Sequence, residues 1–410
     1  MPEVKIVGRG VDTLVINVCY ANEHFQPVKQ ELAKGVQHEL EVLQGAARRR
    51  EAAVPTRWSF KGMSLFMQEK GSRGQWRWIL KAPQVSPLLT VAISRGRLSR
   101  VIAQVRLSSE YLWSCAYLAE AIVEVGLLLY TLFGEYLWFQ VSEVDLCADV
   151  VGWEVSQTNW QEGFISRAVG ENGRPADLAC ALDGPDVVER RWKRIETLNF
   201  GRHTSAVSCC IYHKTAEIRE KSPTKRWFYD LWKRNGWDGN AEVWRIEFRL
   251  TREFLHSASI EQVEDLPEYI QALWEYCAGR PGGGADGWPD GWLRYVTPTA
   301  DTNRARWPVH PAWEVVQGAF VQEDEGLGPI VRVRKREKNI ERGLASVVGY
   351  LSTLAAWVGG DLAKPEADMS LVLRWLYGAG LDYLEEKERD FAKLVEHKQQ
   401  LYGAEQEHVS

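Results

Sequence analysis

Ser208-Cys209-Cys210-Ile211-Tyr212-His213-Lys214 reads as a β-strand that ends on a tyrosine, with a lysine two residues further on. Side chains two apart on a strand share a face, so Tyr212 and Lys214 point one way and Ile211 the other. Upstream, Glu143-Val144-Asp145-Leu146-Cys147-Ala148-Asp149 alternates in the same way. Asp145, Cys147 and Asp149 take one face, and Leu146, Ala148 and Val150 take the other, toward a core. Downstream, the run from Trp244 to Leu250 divides into an apolar set (Trp244, Ile246, Phe248, Leu250) and a polar set (Arg245, Glu247, Arg249). These strands predict a sheet with one core face and one polar face.

Around these strands the pattern changes between sheet and helix. Residues 12–20 place Leu14, Ile16, Val18 and Tyr20 on one face of a strand. A polar helical pattern runs over 24–53 and ends in Arg48-Arg49-Arg50. Strand-like runs follow at 58–68, 75–81, 88–94 and 101–108, with turns at 71–74 and Gly96. Ser109 is placed to cap a helix over 110–133, and 137–151 forms the strand with the first acids. A helix is expected at 157–168, a loop at 171–175, a strand pair at 191–200 and 207–213, an aromatic helix at 225–234 and a strand at 243–250. Beyond residue 260 come a helix at 264–278, a glycine-rich loop at 281–287, a proline-punctuated stretch at 297–311 and helices at 340–358 and 370–400. The expected fold class is α+β. A mostly antiparallel central sheet flanked by helices fills 1–260, a connector fills 261–330, and an all-helical region fills 331–410. That last region suits DNA binding, dimerisation or partner contact.

Composition narrows the class. The net charge of -5 gives no global basic field, but charge is unevenly spread. Residues 187–226 hold ten Lys or Arg against four acids, and 332–338 is a second basic run. The first flanks Tyr212 and suits phosphate contact. The 19 tryptophans suit a core of large aromatics, or stacking on the bases of single-stranded nucleic acid. Seven scattered cysteines without a CxxC pair exclude a zinc ribbon and suit reduced thiols in a cytoplasm. The most apolar stretch, 118–133, is too short and too charged to span a bilayer, so no membrane partner is expected.

A phenol, a lysine and three strand-borne acids suit phosphoryl transfer to tyrosine. Asp145, Asp149 and Glu247 offer oxygen ligands for Mg²⁺ or Mn²⁺, if the polar faces of their strands adjoin. Such an ion would orient a phosphodiester for in-line attack. A free phenol has a pKa near ~10, and Lys214 or the metal would favour its charged form. Attack on a DNA phosphate leaves a phosphotyrosine and a free 3′-hydroxyl, so rejoining needs no nucleotide. Consistently, the chain has no GxxxxGK[ST] loop. Taken alone, a strand tyrosine is more often a packing residue, and Arg245 and Arg249 are ready salt-bridge partners for Glu247.

The three segments, in this order, resemble the Rep-trans family of rolling-circle replication initiation factors and related relaxases of conjugative elements. That family carries R-hydrophobe-D-hydrophobe-x-x-D, then GxR…hydrophobe-Y-x-K, then W-R-hydrophobe-E. Here these read Glu143 to Asp149, Phe200-Gly201-Arg202 with Ile211-Tyr212-His213-Lys214, and Trp244-Arg245-Ile246-Glu247. The resemblance spans residues 12 to 260, and Glu143 stands where the family has arginine. It implies a fold like that of the HUH nickases, although the His-hydrophobe-His metal triplet of those enzymes is absent. It implies Tyr212 as nucleophile, Lys214 and Arg202 on phosphate, and Asp145, Asp149 and Glu247 on the metal. Arg245, Arg191 and Arg194 are further DNA-binding candidates. The implied activity is a site-specific nick at an origin, with a 5′-phosphotyrosine link. The implied partners are single-stranded, hairpin and duplex origin DNA, a second copy of the chain and a host helicase. The first strand begins too early for the N-terminal helix-turn-helix of some conjugative relatives, which favours an initiator over a relaxase. A third reading is an origin-binding regulator without chemistry.

Overall fold

Thirteen strands alternate with helices among the described residues of this computed structural model. Those residues are 3–20, 26–72, 76–94, 101–135, 137–168, 187–191, 194–282, 291–321, 330, 340–364, 366 and 368–403. The expected loop at 171–175, the basic run 332–338 and most of the loop 281–287 lie outside them.

The strands are β1 (Lys5–Tyr20), β2 (Val54–Phe60), β3 (Met63–Met67), β4 (Trp76–Ala82), β5 (Leu89–Ser94), β6 (Val101–Leu107) and β7 (Leu137–Val151). They continue with β8 (Phe164–Ser166), β9 (Val187–Arg191), β10 (Arg194–Phe200), β11 (Val207–His213), β12 (Trp244–Thr251) and β13 (Leu293–Tyr295). Eleven form one sheet in the order β2-β3-β4-β5-β6-β1-β7-β12-β11-β10-β9, and β13 pairs with β8 in a second. Every pairing is antiparallel. The fold is therefore α+β with a large antiparallel sheet flanked by helices, as the sequence predicts.

Alternation decides which face is covered. Leu14, Ile16, Leu80, Val91, Val105 and Leu146 point into one buried cluster. The same cluster takes Leu40 and Ala47 from the helix Gln26–Arg50, and Ile122, Val125 and Leu129 from the helix Leu118–Phe133. On the opposite pleat Gln104, Arg106, Glu143 and Glu247 stay at least partly exposed, while Asp145, Cys147, Asp149 and Arg245 are buried. Burying each large apolar side chain of the covered face contributes about 1.5–3 kcal/mol.

Several expectations are revised. The run 58–68 is a hairpin, because Lys61 and Gly62 both take positive φ (51° and 77°), the geometry of a tight two-residue turn. The helix expected at 157–168 shrinks to Trp160–Gly163 and then becomes β8. The helix expected at 110–133 is two, Ser109–Ser114 and Leu118–Phe133. Described parts of the stretch 261–330, expected as a connector, contribute to the core. The helix Leu266–Ala278 and the helix Pro311–Gln317 bury Trp274 and Trp313 in the main cluster. Their indoles donate to the carbonyls of Val316 and Ala278, both at 2.9 Å.

The chain divides into two compact units, and the second contains residues 334–410. Its described helices are Ile340–Val358, Met369–Glu386 and Phe391–Gly403, around a small cluster of Leu351, Ala355 and Val372. Asp368 caps the second by accepting from the Leu371 amide at 2.9 Å. No described helix is long and apolar enough to cross a membrane.

Gly8 and Gly10 on β1 lie where other side chains need room. A Cβ on Gly8 would sit 2.9 Å from Asp149 Oδ2 and 3.3 Å from the Trp113 and Trp232 rings. Gly8→Ala is expected to destabilise the first unit by about 1–3 kcal/mol through overpacking, read as a lower urea midpoint with unchanged slope. An unchanged midpoint would show that the rings can retreat.

Candidate active site

Register across β11, β12 and β7 assembles the site. Tyr212 faces Arg245, which faces Asp149; Cys210 faces Glu247, which faces Cys147; Ser208 faces Arg249, which faces Asp145. Opposed residues of an antiparallel pair share a face. Tyr212, Asp145, Asp149 and Glu247 therefore lie on one side of one sheet.

The phenol of Tyr212 donates to Glu247 Oε2 at 3.0 Å, and Lys214 Nζ donates to the phenolic oxygen at 3.2 Å. Lys214 is not in the strand. It opens the helix Lys214–Glu220, which turns its buried ammonium back over the Tyr212 ring, 5.2 Å from the ring centre. Glu217, one turn along, holds the same ammonium at 2.9 Å. Tyr212 and Glu247 remain partly open to solvent.

Beside this trio lies a closed block. Arg245 is fully buried and grips Asp149 with two bonds, Nε to Oδ1 at 2.6 Å and Nη2 to Oδ2 at 2.8 Å. Its Nη1 holds Asp12, from the irregular stretch of β1 between Val11 and Thr13. The guanidinium packs against Phe228, 4.6 Å from its ring centre, and Trp113, at 5.6 Å, and the two rings meet edge to face. Trp232 Nε1 donates to Asp149 Oδ2 at 2.8 Å. These aromatics come from the helices Ser109–Ser114 and Trp227–Arg234.

Burial, and then the Arg245 charge, lower the Lys214 ammonium below its ordinary range. Burial pushes the Tyr212 phenol well up, and the Glu247 charge adds to it. Burial, and then Asp12, raise Glu247. Asp145 is raised to about 8, by burial and then by Glu247, although Arg249 Nε lies 3.3 Å away. In Asp12, burial is outweighed by Arg245 and Lys214, and its carboxyl stays low.

These contacts revise the expected roles. Arg245 cannot be a DNA contact, because its guanidinium is spent on Asp149 and Asp12 inside the protein. The three acids expected for Mg²⁺ or Mn²⁺ are not gathered as ligands. Both oxygens of Asp149 are taken by Arg245 and Trp232. Among the described residues no three His, Cys, Asp or Glu side chains form a group that could hold a metal ion. The residues present do not fit a three-carboxylate site.

Arg202 follows Gly201 (φ 76°) in the turn between β10 and β11 and is exposed. That turn is at the end of β11 away from Tyr212, about 17 Å along the strand by its rise per residue. Arg191 and Arg194 face each other across β9 and β10, beyond the Tyr212 end, and their side chains lie outside the described residues. Glu143 accepts from Arg106 at 3.2 Å and lies 3.7 Å from Arg249. Sequence reasoning missed Asp12, whose neighbourhood carried one signal: an acid in an apolar alternation just after Gly8 and Gly10.

Arg245→Met should destabilise the protein by about 3–5 kcal/mol, because it strands two buried carboxylates. Denaturant unfolding measures it, and a loss below 1 kcal/mol would deny the block its structural role. Asp145 titrates well above its ordinary value of 3.8 in the folded chain. Its contribution to stability is therefore full below that value and is lost as pH rises through about 8. Asp145→Asn should gain melting temperature relative to the parent as pH climbs from 4 to 9. Parallel melting curves across that window would refute the assignment.

No protein-family model matches the chain, and no curated protein matches it. Among solved structures it is similar to a rolling circle replication initiator protein from Geobacillus stearothermophilus. The identity is 15% and the TM-score 0.39, over 77% of this chain and 96% of that one.

Proposed function

We propose that this chain is a DNA strand transferase in which Tyr212 attacks a phosphodiester, in the manner of a rolling-circle replication initiator. The observation that carries it is the contact trio: a partly exposed phenol held between the carboxylate of Glu247 and the buried ammonium of Lys214. A packing tyrosine needs neither partner. A nucleophile needs an acceptor for its proton and a positive charge near the oxygen that loses it.

Each group has a role in the reaction. The phenol is held neutral in the resting site, since burial and Glu247 both oppose its ionisation. As the phenolic oxygen bonds to phosphorus, its proton passes to Glu247, whose raised pKa makes it a stronger base than an ordinary carboxylate. Lys214 donates to the same oxygen and stabilises the charge that develops there. The bond between phosphorus and the 3′ oxygen breaks, and that oxygen takes a proton from water. The products are a 5′-phosphotyrosine and a free 3′-hydroxyl. Reversal joins the strand again.

Covalent capture on single-stranded origin DNA tests the reading, with Mg²⁺, with Mn²⁺ and with chelator. Tyr212→Phe should abolish the adduct, and Glu247→Gln should slow its formation by about 10²–10⁴ while DNA binding persists. An adduct on Tyr212→Phe would sink the proposal. Binding without an adduct under every metal condition would favour an origin-binding regulator instead.

A further inference from the structure

The half of the large sheet remote from Tyr212 has a face that the buried core does not use. Register carries one row across it: Lys81 on β4 faces Thr90, Thr90 faces Arg106, Arg106 faces Val15, and Val15 faces Glu143 on β7. β7 then pairs with β12 without a shift from Glu143 to Val150. Lys81 therefore lies on the same side of the sheet as Glu247 and Tyr212.

A second row lies beside the first. Gln104 Nε2 donates to Asn17 Oδ1 at 3.0 Å, and Asn17 Nδ2 donates to Gln140 Oε1 at 3.1 Å. Over β3 to β6 this face is an open groove of about 820 Å³. Its lining includes the cations Lys70, Lys81 and Arg106 and the carboxylate Glu69, with the indole of Trp76 and the amide of Gln68. Arg106 also donates to Glu143 on β7, which leaves Lys70 and Lys81 as the principal phosphate contacts. Lys70 and Arg106 are exposed, and Lys81, Trp76 and Gln68 partly so.

We propose that this face is the track for a single-stranded DNA arm that runs to Tyr212. The proposal rests on the strand-transfer reading for the strand's destination. The chemistry of the face matches such an arm, with cations for phosphates, an indole for stacking and amides for base edges. The sheet from β4 to β7 is about 19 Å across at the usual strand spacing. A B-form major groove is only about 12 Å wide, so the face cannot enter it, which favours a single strand with its bases unpaired. From β4 to β11 is six strand spacings, about 29 Å. At about 3.4 Å per stacked nucleotide, that distance takes about eight nucleotides.

Fluorescence anisotropy of the full chain with labelled oligothymidine tests the track. With a strand of about 30 nucleotides, Trp76→Ala should weaken binding at least about 5-fold. Lys81→Ala should weaken it too, and should reduce the log–log salt slope by about 0.7. Lys70→Ala, at an exposed position that cannot unfold the sheet, should lower the slope in the same way. A strand of about four nucleotides, too short to reach the groove from Tyr212, should bind weakly. Variants that melt like the parent and bind the long strand like the parent would overturn the proposal, as would a duplex that competes equally. The measurement needs no cleavage, so the two readings fail separately. If Tyr212 never forms an adduct but these variants still lose binding, the strand-transfer reading falls and the binding face stands. If adducts form and these variants bind normally, the reverse holds.

Discussion

The buried guanidinium of Arg245 holds the site together. It ties three strands, through Asp12 on β1, Asp149 on β7 and its own backbone on β12. It also seats two helices, through the rings of Trp113 and Phe228. A buried ion pair is often no more stable than an apolar replacement, because desolvating both partners offsets their attraction. Here the geometry is favourable: two parallel bonds to one carboxylate, a third bond to another, and two aromatic rings in contact with the guanidinium. Breaking it would leave charges stranded among tryptophans.

That block also sets the charges of the trio beside it. Two carboxylates and one guanidinium leave the block negative overall. Asp12 raises Glu247, while Arg245 adds to burial in lowering Lys214. The groups that meet the phenolic oxygen are thus a carboxylate more basic than usual and an ammonium more acidic than usual. Their protonation states are closer in energy than in water, which suits a proton moved during reaction. Asp149 shapes this arrangement without meeting the phenol. Covering its strand end with Trp113 and Trp232 requires Gly8 and Gly10, since a side chain at either would occupy the space of the rings.

Much of the sheet was legible because alternation is a local property. A period of two separates the apolar and polar sets of β7 and β12 and puts Tyr212 on the face of Arg245 and Asp149. The hairpin at 54–67 was not legible as two strands, because its Lys61-Gly62 turn interrupts the run only briefly. The stretch 261–330 reads as a connector because of its glycine-rich loop and its proline-punctuated run. Three of its tryptophans, Trp274, Trp292 and Trp313, bind the segment to the core. Trp58, Trp78, Trp153, Trp232 and Trp244 are buried as well.

The site shows the same division. The sequence by itself determined the chemical groups and their faces, because residue type and a period of two are written in neighbouring positions. It could not determine which acid each arginine takes. Arg245 and Arg249 both stood two residues from Glu247, yet strand register gives them to Asp149 and Asp145 and leaves Glu247 to the tyrosine. Nor could it bring in Asp12, which lies 200 residues before Tyr212 in the chain and reaches Arg245 only through an irregularity in β1. Hydrogen-bond partners depend on distances across strands, and only the folded sheet decides those.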